Sequence, residues 1–200
     1  MVNPSYEAVR RLPDAIAGAK IIKLELPTVF SRCGPAVETG ILAHRPDAVL
    51  CVGQAGGRAH IAVERVGINL IDARIPDNAG AQPVDTPIQP DGPAAYFSTL
   101  PVKAITQRIQ SHGIPCQLSY SAGTYVCNCI LYQVLHMAAL RYPHIRAGFI
   151  HIPFSSEQIR AKPDGTPSLP LTVAAEALAL AAGAIAEHQQ DIQISMGRIF

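Results

Sequence analysis

No stretch of this sequence reaches the roughly 18 consecutive apolar residues that a membrane-spanning helix needs. The Ala-rich segment 173–187 comes nearest, and Glu176 and Glu187 punctuate it. The first residues, Met-Val-Asn-Pro-Ser-Tyr-Glu, contain no hydrophobic signal-peptide segment. Charge is scarce, with 16% charged residues and a formal net charge of +1. No basic run appears, so neither a nucleic acid nor an anionic membrane surface is an expected partner. There is no internal repeat, heptad or low-complexity tract, and no linker that would divide the chain into domains. What remains is 48% hydrophobic over 200 residues, enough for one core of ordinary size.

Disulfide and zinc patterns are also missing. The five cysteines are Cys33, Cys51, Cys116, Cys127 and Cys129. An odd number without a secretion signal fits free thiols in a reducing cytosol. Cys127-x-Cys129 is not a CxxC motif, and no second Cys or His pair completes a structural zinc site.

Strand-like and helix-like segments alternate, which points to an α/β fold with a largely parallel sheet. Helices are expected over Pro4 to Leu12, Pro35 to Ala43, Ser98 to Ser111, the stretch after Thr124, and Leu171 to His188. Strands are expected over Lys20 to Leu26, Ala48 to Val52, Val66 to Ile71, Cys116 to Tyr120, and Ala147 to Ile152. Thr124 and Ser168 are the expected N-caps of their helices. Pro76 to Pro93 and Lys162 to Pro170 read as loops. In open α/β sheets, sites collect beyond the carboxyl ends of strands.

Three features fall there. Ser121-Ala-Gly-Thr-Tyr-Val-Cys-Asn128 puts Cys127 where a strand gives way to a helix. A thiol in a helix's first turn feels the positive end of the macrodipole and unpaired N–H groups, which favour thiolate. Those N–H groups also suit an oxyanion. The opposing reading is that most intracellular cysteines are small buried hydrophobes. His151 lies in Gly148-Phe-Ile-His-Ile-Pro153, either as a hydrogen-bonded core histidine or as a base for Cys127. Gly53-Gln-Ala-Gly-Gly57 follows a buried strand; it lacks the lysine and spacing of a phosphate loop and reads as backbone lining a small pocket. Glu64 lies among apolar residues. It serves either as the carboxylate that orients His151 or as an ordinary ion-pair partner of Arg65 or Arg74. Cys129 points to another side of the helix and reads as packing.

The stretches Cys51-Val-Gly-Gln-Ala-Gly-Gly-Arg58, Glu64-Arg-Val66, Asp72-Ala-Arg-Ile-Pro-Asp-Asn78, Ser121 to Asn128 and Gly148 to Pro153 occur in the order of the pyroglutamyl peptidase I family of cysteine peptidases. The sequence resembles that family from Asn3 to about the last helix. The resemblance implies a single-domain three-layer α/β/α sandwich with a mostly parallel twisted sheet over residues 1–200. It implies a nucleophile at Cys127, a base at His151 and an orienting carboxylate at Glu64. Oxyanion donors would be backbone N–H groups at Gln54 and Cys127. Gln54, Ile75 and Tyr125 would line the pocket for a neutral lactam. The implied activity removes N-terminal pyroglutamyl residues from peptides through a thioester. No metal or organic cofactor is implied; the expected partners are pyroglutamyl peptides and further copies of the chain, as a homodimer or homotetramer. The implied location is cytoplasmic.

Three departures from the family pattern carry expectations. Family members have a further segment before Val2, with a central strand and a Gly-Phe-x-Pro-Phe loop that clasps the lactam. A chain starting at Met1 is therefore expected to leave strand edges unpaired, at roughly 1–3 kcal/mol for each buried group. Against a net stability of about 5–15 kcal/mol, this predicts an unstable or poorly active chain. The alternative to a working peptidase is then an impaired relative that binds or assembles without catalysis. Cys129 stands where histidine is common, with a modest expected effect. Ser31-Arg-Cys-Gly-Pro35 is an awkward helix start.

Overall fold

The computed structural model describes residues 3–197. The expectation attached to Met1 and Val2 lies outside the described residues. Five α-helices occur among the described residues: α1 (Pro4–Arg10), α2 (Phe30–His44), α3 (Val102–Ser111), α4 (Val126–Leu140) and α5 (Leu171–Glu187). The strands are β1 (Ala15–Ile16), β2 (Ala19–Lys20), β3 (Ala48–Gln54), β4 (Ile61–Glu64), β5 (Val66–Ile68), β6 (Ala95–Phe97), β7 (Cys116–Ser119), β8 (Arg146–Ile152), β9 (Phe154–Ser155) and β10 (Ser168–Leu169). The main sheet has the order β3-β8-β4-β7. Pairing is parallel for β3 with β8 and for β4 with β7, and antiparallel for β4 with β8. β5 and β6 form a separate antiparallel ribbon.

Two apolar clusters lie on the two faces of this sheet, which makes the molecule the expected α/β/α sandwich. One joins Ile61, Val63, Ile150 and Ile152 to α1, α3 and α5; the other joins Cys51, Ala147 and Phe149 to α2 and α4. Successive strand residues point to opposite faces. On β8, Ile150 and Ile152 therefore face one layer, while Phe149 and His151 face the other. On β4 the same alternation turns Glu64 toward α4. The sheet thus aims two ionisable side chains into one interlayer space.

Four local readings need correction. Lys20 to Leu26 was expected as a strand, yet only Ala19–Lys20 pairs, with Ala15–Ile16. Residues 21–27 belong to no helix or strand. Alternation specifies an extended backbone; a ladder also needs a neighbour, and β3 pairs only with β8 among the described residues. Helix α2 begins at Phe30, five residues before the expected Pro35. The Asp77 carboxylate accepts from the Phe30 N–H at 2.9 Å, a cap supplied from a distant loop. Gly34 leaves room for the Gln133 side chain of α4, whose Oε1 would lie 1.6 Å from a Cβ there. Thr124 is not an N-cap: Tyr125 holds that position without a side-chain bond, and the Thr124 hydroxyl donates to Asp72 O at 2.8 Å. Ser168 is no cap either; it pairs in β10, and Pro170 precedes α5.

Candidate active site

Cys127 is the second residue of α4. No side chain caps this helix end, and no acidic residue stands in its first turn. The N–H groups of the first turn and the positive end of the dipole are therefore not countered from within the helix. The thiol hangs over β3 at Gly53: a Cβ on Gly53 would lie 2.9 Å from Cys127 Sγ and 2.7 Å from Phe149 Cζ. Only glycine leaves room for the sulfur at this place. Gly53 is paired in the ladder with His151, which brings the sulfur beside the imidazole.

On one side His151 faces Cys127, which raises its pKa. On the other, its Nδ1 lies 2.7 Å from Glu64 Oε1. The register explains this reach: Ala62 pairs with His151 and Glu64 with Phe149, so the two polar side chains are diagonal neighbours on one face. Both are buried, His151 at 3% exposure and Glu64 at 0%. The Phe149 ring leans on the imidazole with centroids 4.7 Å apart. Burial, the largest single influence, pulls the His151 pKa down. The interactions with Cys127 and Glu64, and the charges of both, outweigh it and raise His151 to about 9.

Glu64 has a second partner, and it is neither Arg65 nor Arg74. Arg58 Nη1 sits 2.8 Å from Glu64 Oε1. Arg65 follows Glu64 directly, projects the other way, and approaches Asp191 at 4.0 Å. Glu64 Oε1 thus takes both donors. Among the described residues, Glu64 Oε2 is the one buried side-chain oxygen without a hydrogen-bond partner.

The remaining expected residues lie at the end of β3, at the start of α4 and in the loop beside it. The Gln54 side chain donates to Gln158 Oε1 at 2.7 Å, and Gln158 Oε1 also accepts from Ser155 N at 2.9 Å. Tyr125 donates from its hydroxyl to Pro76 O at 2.9 Å, and its ring meets Phe30 edge-on at 5.4 Å. That bond and the Thr124–Asp72 bond fasten the 72–78 loop to the start of α4. Ile75, in that loop, is 57% exposed. Burial, then the neighbouring Cys127, pushes the Cys51 thiol up to about 12, so Cys51 stays a thiol at neutral pH. Cys129 is buried and accepts from Gln133 Nε2 at 3.0 Å, which agrees with a packing role. A half-exposed thiol at a helix N-terminus, an imidazole beside it and a buried carboxylate behind make a set able to attack a carbonyl carbon.

A family model described as Pyroglutamyl peptidase matches residues 1–197. The chain belongs to the pyroglutamyl peptidase family. A pyrrolidone-carboxylate peptidase of Levilactobacillus brevis is 59% identical over 170 residues, covering 85% of this chain and 83% of that protein. One from Enterococcus faecalis is 50% identical over 196 residues, covering 98% of this chain and 92% of its own length. The crystal structure of Bacillus amyloliquefaciens pyroglutamyl peptidase I superposes with a TM-score of 0.93 at 48% identity, covering 96% of this chain and 92% of the other.

Within this pyroglutamyl peptidase fold, sequence reading overlooked three residues that hold the site together. Arg58 closes the glycine-rich loop and pairs with Glu64. Gln158 holds Gln54. Asn128, beside the thiol, is fully buried and bonds β5 and Leu70. Only Asn128 carried a local signal, an amide in the first turn of α4 with apolar residues on either side.

Proposed function

We propose that this chain removes N-terminal pyroglutamyl residues from peptides, with Cys127 as nucleophile, His151 as proton carrier and Glu64 as its orienting carboxylate. The observation that carries the reading is the buried 2.7 Å contact of His151 with Glu64, on a histidine paired with the Gly53 over which the Cys127 sulfur hangs. The thiolate attacks the pyroglutamyl carbonyl, and the oxyanion forms within reach of N–H groups at Cys127 and Gln54. The imidazolium gives its proton to the leaving amine, and the C–N bond breaks. Water, losing a proton to His151, then attacks the thioester and frees pyroglutamate and the thiolate. Gln54, Ile75 and Tyr125 line the lactam site. The substrate end is neutral, so its pocket needs apolar walls and a few hydrogen bonds rather than a counter-ion.

The test is release of a fluorophore from a pyroglutamyl amide beside its prolyl and glutamyl counterparts. Release from the pyroglutamyl amide alone is expected. Equal release from the prolyl amide, or none from any, would overturn the reading. The same proposal includes a homodimer or homotetramer, read by sedimentation. It also places the chain in the cytosol, where its five cysteines, all free, would stay reduced. No helix among the described residues is long and apolar enough to cross a membrane.

The His151 environment fixes a pH dependence. A folded pKa of about 9 lies above the ordinary 6.5, so the folded state holds this proton more tightly than the unfolded one. The resulting stability is fully present below pH 6.5 and is lost as pH rises through about 9. Melting temperature should fall between pH 6.5 and 9.5, and fall less in Cys127→Ala, where one of the influences raising the pKa is gone. Identical slopes in the two proteins would remove Cys127 from the account.

A further inference from the structure

We propose that Arg58 is a positioning residue of this site, fixing Glu64 for His151 and tying both to the turn that delivers Cys127. The inference rests on the reading of Cys127 as nucleophile and His151 as its partner. The geometry carries it. Arg58 reaches Glu64 Oε1 with Nη1 at 2.8 Å and the Ser121 carbonyl with Nη2 at 3.1 Å. Ser121 lies in the turn between β7 and α4, whose second residue is Cys127. One planar fork therefore joins the glycine-rich loop, the carboxylate on β4 and the approach to the nucleophile. The fork also fixes carboxylate rotation: imidazole and guanidinium converge on Oε1, while Oε2 has no partner. A carboxylate held by one donor alone would be freer to turn.

Charge gives the second argument. A thiolate, an imidazolium and a carboxylate sum to one negative charge in an interlayer space where Glu64 is fully buried. Arg58, with 29% of its side chain exposed, brings the sum to zero and stays cationic at every working pH. Among the described residues, the titratable and charged groups that act on or near the pair include Glu64 from β4, Cys51 from β3, Tyr125 and Cys127 at the start of α4, Asp77 beyond Tyr125, and Arg58. Arg58 supplies a second cation facing Glu64, beside the imidazolium. Its removal makes a proton on the Cys127–His151 pair harder to lose, so both limbs of a pH profile move upward.

The test compares Arg58→Met, which keeps length without charge, with Arg58→Lys, which keeps charge without the fork. Two profiles are read against pH: kcat/KM on a pyroglutamyl amide, and the rate of Cys127 alkylation by iodoacetamide. The other four cysteines are buried, and alkylation needs no substrate. In Arg58→Met both limbs should rise by about one pH unit, with kcat lower by up to about 10²-fold and KM little changed. In Arg58→Lys the limbs should return to wild-type positions while kcat stays depressed. Wild-type limbs in Arg58→Met, or limbs in Arg58→Lys no different from those of Arg58→Met, overturn the proposal. If Arg58→Met does not fold, Arg58→Lys decides: lowered kcat at unmoved limbs upholds the role, and wild-type kcat refutes it. Shifted alkylation limbs without turnover of any pyroglutamyl amide would refute the substrate reading and leave Arg58 in its role.

Discussion

Replacing Cys127 by alanine is expected to lower kcat on a pyroglutamyl amide by at least about 10³-fold, with the fold intact. The magnitude follows from covalent catalysis: without sulfur there is no thioester, and only binding and oxyanion donors remain to favour the reaction. The substitution should be structurally mild. Cys127 is only half-buried, and α4 is anchored by Val126, Ile130, Leu131, Val134 and Leu135, which are all buried. Serine at this position should be almost as poor, because a hydroxyl is not ionised by a neighbouring imidazolium. A second substitution, Glu64→Gln, should cost a large factor in the wild-type background and almost nothing once Cys127 is alanine, because groups that act as a unit do not add. Circular dichroism and burst-phase kinetics accompany the assay. Wild-type turnover in Cys127→Ala would remove the cysteine mechanism, whatever the family.

The parts of this site that could be read from sequence are those set by short-range rules. Cys127 follows a β-prone run and a glycine and opens an apolar helix, and its place in the first turn needs no tertiary information. His151 interrupts an apolar strand, and the sheet's alternation then decides which layer it faces. The Ala48–Val52 run reads as a buried parallel strand; β3 is parallel and two residues longer, but it stands at the sheet edge among the described residues, and only Cys51 and Gly53 in it are buried. Strand β4, by contrast, escaped notice. It has four residues, too few for a period to declare itself, and every one of them is buried. Yet it lies inside the sheet and runs antiparallel to β8, which puts Glu64 diagonal to His151.

Partners delivered by loops were the other illegible part. Glu64 was matched to its sequence neighbour Arg65 or to Arg74, whereas Arg58 is delivered by a loop. Simple alternation already argued against Arg65, since consecutive strand residues face opposite ways. Thr124 failed as a cap for a related reason. Its hydroxyl had a better partner in Asp72 O, contributed by a loop 52 residues earlier.

Asn128→Ala should be among the most destabilising single changes in the chain. Asn128 is fully buried. Its Oδ1 accepts from Ile68 N at 3.0 Å, and its Nδ2 donates to Ile68 O at 2.9 Å and Leu70 O at 3.0 Å. The amide thus acts as an extra rung that binds the first turn of α4 to β5. Alanine leaves the Ile68 N–H and the Leu70 carbonyl of a partly buried segment without these partners, while Ile68 O keeps the Leu70 N–H at 2.9 Å. Each would cost about 1–3 kcal/mol if wholly enclosed, and their partial exposure reduces the sum to about 2–4 kcal/mol. For a chain of this size that is roughly 5–15 °C in melting temperature. Asn128→Asp should be worse at neutral pH, because a carboxylate oxygen would face two carbonyl oxygens; acid, by protonating it, should recover part of the loss. Ordinary helix propensity predicts the opposite for Ala, the best helix former. A denaturant midpoint for Asn128→Ala at or above wild type would mean that the amide is not what holds α4 to β5. A lowered midpoint with slowed Cys127 alkylation would tie the packing of α4 directly to the reactivity of its second residue.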